Sequence, residues 1–191
     1  FKFHCKGSLI ASVEKFFEIN LIDEVAFFAP AGKAGEIFEI PVLHSDCEID
    51  RLYLVALGDL TLKDFRTVGA ALGRKVRGKA VNLISLLPMK KAEVKAHAIS
   101  IALGAYTWNL KTSAPAEIPT FTIATNEIDA LAEASAIAEA LVTTRDLIHT
   151  PSNIKNPLWM AQEAKKIADA KGLTIKVLAG KEIAEFGGLV A

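Results

Sequence analysis

The sequence predicts an α/β fold with a mostly parallel or mixed sheet, on three observations. Apolar runs of strand length alternate with amphipathic stretches of helix length over most of the chain. Proline and glycine punctuate the ends of these runs. The composition, 51% apolar and 23% charged over 191 residues, is that of an ordinary folded protein, and the length suffices for one well-buried domain or one domain plus part of another.

From the N-terminus, Ser8–Ile22 mixes apolar and charged positions and fits either strand or helix. Glu24–Ala29 (EVAFFA) reads as a short buried strand closed by Pro30 and Gly32. Glu36–Leu43 (EIFEIPVL) alternates apolar and acidic residues, as a half-solvated strand does, and Pro41 places part of it at an edge or bulge. Arg51–Leu57 (RLYLVAL) is a nearly continuous apolar strand of the kind covered on both faces, with Gly58-Asp59 closing it. Thr61–Arg77 opens with a capping box, Thr61 to Asp64, and sets Phe65, Val68, Leu72 and Val76 along one helical face. Ala80–Leu87 (AVNLISLL) is a further buried strand, stopped by Pro88.

The pattern then predicts a helix over Glu93–Tyr106 with Val94, Ala98, Ile101 and Ala105 inward. A surface loop follows over Lys111–Pro119, then a strand over Phe121–Thr125. Asn126–His149 reads as one long Ala-rich helix with Asn126 as N-cap and Leu131, Ala134, Ala138 and Leu141 on one face. Pro151 pushes Thr150 out of the α region and ends it. Asn156-Pro157 pairs an N-cap with proline at the first helical position, opening a second helix that runs to about Lys171, with Gly172 as its C′ residue. Leu173–Leu178 (LTIKVL) reads as a last strand and Gly180–Phe186 as a short helix. These segments after Pro151 cannot close a core alone. They look like the first fragment of a second α/β domain. The start at Phe1 suggests a trimmed N-terminus, and the end, Gly187-Gly188-Leu189-Val190-Ala191, breaks off inside what looks like the entry to a strand.

Charge and cysteine usage narrow the function. Lys plus Arg and Asp plus Glu number 22 each, so no bulk field draws the chain to nucleic acid or to an anionic membrane. Only Cys5 and Cys47 are present, which favours a reducing, cytoplasmic compartment over a disulfide scaffold. No apolar run approaches the roughly 18–20 residues that span a bilayer.

No catalytic constellation is legible. His44 and Cys47 have a metal-like spacing and His4-Cys5 lies far upstream, but one such pair does not make a four-ligand zinc site. His97, one position from inward Ala98, reads as a flanking or solvent-facing residue, and His149 as a cation at a helix C-terminus. Ala31–Gly35 (AGKAG) lacks the spacing of a phosphate-binding loop and reads as a plain connector. Asp46, Glu48 and Asp50 lack the glycine and distal glutamate of a calcium loop. Lys75, Arg77, Lys79, Lys90, Lys91 and Lys95 follow a helix end and a strand end. They read as a solvated face, with one basic surface as the alternative.

Four stretches together resemble the leucyl aminopeptidases, the cytosol aminopeptidase family of metallo-exopeptidases. They are RDLIHTPSN with its downstream NP (Arg145–Pro157), RLYLVALGD (Arg51–Asp59), LGAYTWNLKT (Leu103–Thr112) and FGGLVA (Phe186–Ala191). In LGAYTWNLKT, Trp108 and Leu110 replace the family's usual aromatics.

The resemblance implies a macro-domain-like N-terminal domain over residues 1–125, with a mixed sheet flanked by helices. A linker helix would occupy 126–150, and 151–191 would be the truncated start of a catalytic α/β domain. It further implies a hexameric parent that releases N-terminal residues from peptides with two divalent metals, Zn or Mn. The lysine, aspartates and glutamate that hold those metals in the family belong to motifs this chain lacks. No catalytic, cofactor or metal residue is therefore expected in this piece, whose implied role is assembly or regulation. Its partners would be its own catalytic domain, further copies of itself and, for the parent, peptides. A macro-like nucleotide module taking ADP-ribose and a DNA-binding domain are the alternatives, with nucleic acid disfavoured by the balanced charge.

Overall fold

The computed structural model describes residues 8–42, 48–110 and 116–187. The chain divides into two compact units, Phe1–Thr144 and Arg145–Ala191. The element order in the first is α1 (Ser8–Phe17), α2 (Leu21–Phe28), β1 (Ile37–Pro41), β2 (Arg51–Val55), α3 (Leu62–Val76), β3 (Asn82–Ser85), α4 (Lys91–Ala105) and β4 (Thr120–Ile123). The division falls within α5 (Ile128–His149); α6 (Pro157–Lys171) and a 3-10 turn, Gly180–Ile183, follow.

The segment expected as a strand over Glu24–Ala29 is instead the body of α2. Asn20 accounts for the difference. Its Oδ1 accepts from the amides of Ile22 at 3.0 Å and Asp23 at 3.3 Å, satisfying two of the donors that a helix start leaves unpaired. Asp23 and Glu24 complement the positive end of the helix dipole, and Ala29 leaves it in a left-handed turn. Ser8–Ile22, open between strand and helix, is helical over α1 and at the start of α2.

Among the described residues, sheet structure consists of two separate pairs rather than one continuous sheet. β1 and β2 form an antiparallel pair in the register Ile37↔Val55, Glu39↔Tyr53 and Pro41↔Arg51. β3 and β4 run parallel, Leu83 beside Phe121 and Ser85 beside Ile123. β2 is half-buried rather than sealed on both faces. Ile37, Tyr53 and Val55 pack toward the core, while Phe38 on the other face meets the Phe28 ring at 4.9 Å. In β3 buried and exposed residues alternate, so Leu83 and Ser85 turn inward and Ile84 outward.

α3 and α4 are the centre of the unit. The capping box of α3 is formed as expected, with Asp64 N donating to Thr61 Oγ1 at 3.2 Å and Thr61 N to Asp64 Oδ2 at 3.0 Å. Phe65, Val68, Leu72 and Val76 are all buried, as are Val94, Ala98, Ile101 and Ala105 of α4. Val68, Leu72, Val76, Leu83 and Ile101 make one cluster, and Ala98, Ile123 and Ala134 a second. Glycine lets the two helices touch backbone to backbone. A Cβ on Gly73 would stand 2.2 Å from the Ile101 carbonyl, and one on Gly69 2.6 Å from that of His97. Arg77 then ties the end of α3 to α4, donating to the Gly104 carbonyl at 2.7 and 3.0 Å.

α5 begins at Ile128, two residues after the expected cap Asn126. Ala134 and Ala138 are buried on the expected face, whereas Leu141 is exposed. In the second unit, Asn156 Oδ1 caps α6 by accepting from Trp159 N at 2.9 Å, and Gly172 ends it in the left-handed conformation. Leu173–Leu178 forms no strand among the described residues. Its alternating side chains suit a sheet, but a strand needs a neighbouring strand's N–H and C=O groups, and no described strand pairs with it. Of the expected helix after it, the 3-10 turn is the regular part.

Candidate functional site

Of the titratable residues singled out from the sequence, His4, Cys5, His44, Asp46 and Cys47 lie outside the described residues. Glu48, Asp50 and His149 are exposed. Among the described residues no three His, Cys, Asp or Glu side chains converge as metal ligands would. The two metals that the resemblance implies find no cradle in this set, and no step of hydrolysis is assigned to these residues.

His97 is not the flanking residue expected. It is wholly buried. The signal was present in the spacing: Val94, His97 and Ile101 stand three and four apart, on one helical stripe, with Ala98 beside them. Its Nε2 lies 3.2 Å from Ser85 Oγ on β3, whereas Nδ1 has no partner in bonding geometry. Burial pulls its pKa down to about 4, because an imidazolium there would lose its hydration, and this outweighs the opposing hydrogen bond of the Phe65 main chain.

Three of the basic residues singled out from the sequence are each held by a different partner. Lys75 Nζ sits 2.8 Å from Glu39 Oε2 and 5.9 Å from the centre of the Tyr53 ring, Arg77 is held by Gly104, and Lys95 pairs with Glu133. Glu39 also takes Arg51, and the hydrogen bonds from Lys75 and then Arg51 hold its carboxyl at about 2. The AGKAG connector offers no cradle for phosphate either. The Gly32 amide donates at 2.9 Å to the chain's own Glu36 carboxylate, and the Gly35 amide to the Ala56 carbonyl at 3.0 Å. Lys75 thereby joins α3 to β1, Arg51 crosses the β1–β2 pair, and Lys95 joins α4 to α5. No helix among the described residues is long and apolar enough to cross a membrane.

Three comparisons with known proteins agree. Residues 29–114 match the family profile described as the cytosol aminopeptidase family, N-terminal domain. A probable cytosol aminopeptidase of Aquifex aeolicus is 30% identical over 168 residues, covering 82% of this chain and 34% of that protein. One of Rhodococcus opacus is 28% identical over 191 residues, 90% of this chain and 37% of the relative. The chain thus spans about a third of the length of these curated relatives.

Among solved structures, the bottromycin maturation enzyme BotP superposes with a TM-score of 0.72 at 26% identity, over 86% of this chain and 38% of its own. A tomato leucine aminopeptidase mutant gives a TM-score of 0.69 at 18% identity over 94% of this chain and 39% of its own, a likeness of fold. The core built on α3 and α4 falls inside the matched 29–114 segment. The chain belongs to the cytosol aminopeptidase family and carries that family's N-terminal domain.

Proposed function

We propose that this chain is the N-terminal portion of a metallo-aminopeptidase, a cytoplasmic hydrolase that releases N-terminal amino acids from peptides. Residues 1–125 are its N-terminal domain, of macro-like fold, 126–150 a linker helix, and 151–191 the first elements of the catalytic domain. The observation that carries this reading is the match of residues 29–114 to the family's N-terminal domain, in a chain that spans about a third of the length of its relatives. The chemistry would reside in the remaining two thirds. There a pair of divalent metals, zinc or manganese, would activate water and polarise the scissile carbonyl. A manganese complex of BotP among the structural neighbours supports a divalent metal in the parent.

The 191 residues themselves are a non-catalytic assembly or regulatory module, with further copies of the chain, in the parent a hexamer, as partners. The test is direct. The purified chain, supplied with Mn²⁺ or Zn²⁺, turns over no leucyl anilide, whereas a protein extended to the relatives' full length does. Metal-dependent turnover by the short chain, or none by the long one, refutes the assignment.

A further inference from the structure

His97 is the one titratable side chain among the described residues that is completely shut off from solvent. Its main chain cannot retreat, because the His97 carbonyl is seated where glycine at position 69 is required. Its ring reaches across to β3 through Ser85. Nδ1 is unpaired, and one turn earlier on α4 the buried Oε2 of Glu93 is unpaired too. Positions four apart on a helix are neighbours, so Glu93 stands one turn from His97 on the same stripe of α4. Of the elements packed against the ring, α3 presents the Phe65 main chain and β3 presents Ser85, and neither brings a charge. Glu93 is the carboxylate on the ring's own stripe.

We propose that Ser85, His97 and Glu93 form an acid-operated latch of the first unit: the neutral ring closes β3 onto the α3–α4 pair, and proton uptake by the ring opens that seam. A neutral imidazole is served adequately by one hydroxyl. An imidazolium brings a full charge and two N–H donors into a site that offers the Ser85 hydroxyl and the Phe65 main chain but no paired counter-charge. A buried charge persists only when paired and hydrogen-bonded. The ring meets that demand by turning toward Glu93 or by admitting water, and either route breaks the present packing. The proton comes from solvent and returns to it, so the latch is reversible.

The sign follows from the two ends of the cycle. Unfolded, the ring takes its proton near 6.5; folded, only near about 4. Between those values the unfolded chain binds more protons, so stability is complete above the window and is lost as pH falls through it.

Two measurements decide the matter. An NMR titration of the His97 ring in the 191-residue chain should show a midpoint about two units below that of a free histidine; a midpoint near 6.5 overturns the latch. Urea unfolding at pH 7 and 4.5 should show the folding equilibrium constant dropping on the order of a hundredfold more for the chain than for H97Q. In that variant an amide still reaches Ser85 but takes up no proton, and equal losses in both overturn the proposal. Should H97Q not fold, E93Q serves. Removing the carboxylate that receives the imidazolium should steepen the acid loss, and an unchanged acid profile refutes the part of Glu93.

Discussion

The α3–α4 pair and the segment after Thr150 are built from similar amphipathic sequence, yet they end in opposite states. In the first, each residue of the predicted inward faces is buried, and the helices approach until backbone meets backbone at Gly69, Gly73 and Gly104. In the second, α6 is capped at both ends, but Ala168 is the one buried residue among those described from 145 to 187. Leu158, Leu173, Val177 and Phe186 are half or more exposed. Local signals thus make helices and turns without a core, whereas burial requires a partner surface. Hydrophobic stabilisation scales with the apolar area removed from water, so the two regions should respond very differently to the same kind of change.

Glycine substitutions test that contrast most sharply. Gly73→Ala drives a methyl into the Ile101 carbonyl and should cost about 3 kcal/mol or more, read as a shift in urea midpoint, because neither backbone can yield. Gly172→Ala meets open space and pays only for its left-handed backbone, about 1–2 kcal/mol, seen as faster hydrogen exchange at the end of α6. Similar costs for the two would mean that the α3–α4 contact is looser than drawn.

Leucine truncations come next. Leu72→Ala should destabilise by about 2–5 kcal/mol, whereas Leu173→Ala, at 62% exposure, should stay within about 0.5 kcal/mol in the 191-residue chain. A larger loss for Leu173→Ala in a protein extended to the relatives' full length would sharpen the contrast, since the added residues would then supply a surface that covers it.

The smallest effect is expected at the surface. Glu39 is held at about 2 by Lys75 and Arg51, so its contribution is present above the ordinary value of 4.5 and is lost as pH falls through about 2. Because this network is solvent-exposed, Glu39→Gln should shift the unfolding midpoint slightly and only at low ionic strength. A large shift that persists in concentrated salt would show the network to be structural.

Much of the helical structure in both units is legible in the sequence because its signals are local. Thr61 with Asp64, Asn156 with Pro157, and Gly172 act over one helical turn, and each forms as read. The exceptions share a cause. EVAFFA is apolar enough for a strand, but Asn20, four residues upstream of it, supplies a helix start that apolarity alone does not show. His97 stands three residues from Val94 and four from Ile101, a helical relation that its chain neighbours do not show. No catalytic residue was expected, and the comparisons place the family's N-terminal domain here on sequence likeness that single motifs only hinted at.

Periodicity, caps and breakers settled where α3, α4, α5 and α6 lie and which faces of the first two turn inward, since those depend on neighbours within a turn or two. Strand partners, the seam that isolates His97 and the unsealed state of the second unit were decided in three dimensions. Pairing and desolvation depend on what stands across the gap, and residues far apart in the chain supply it.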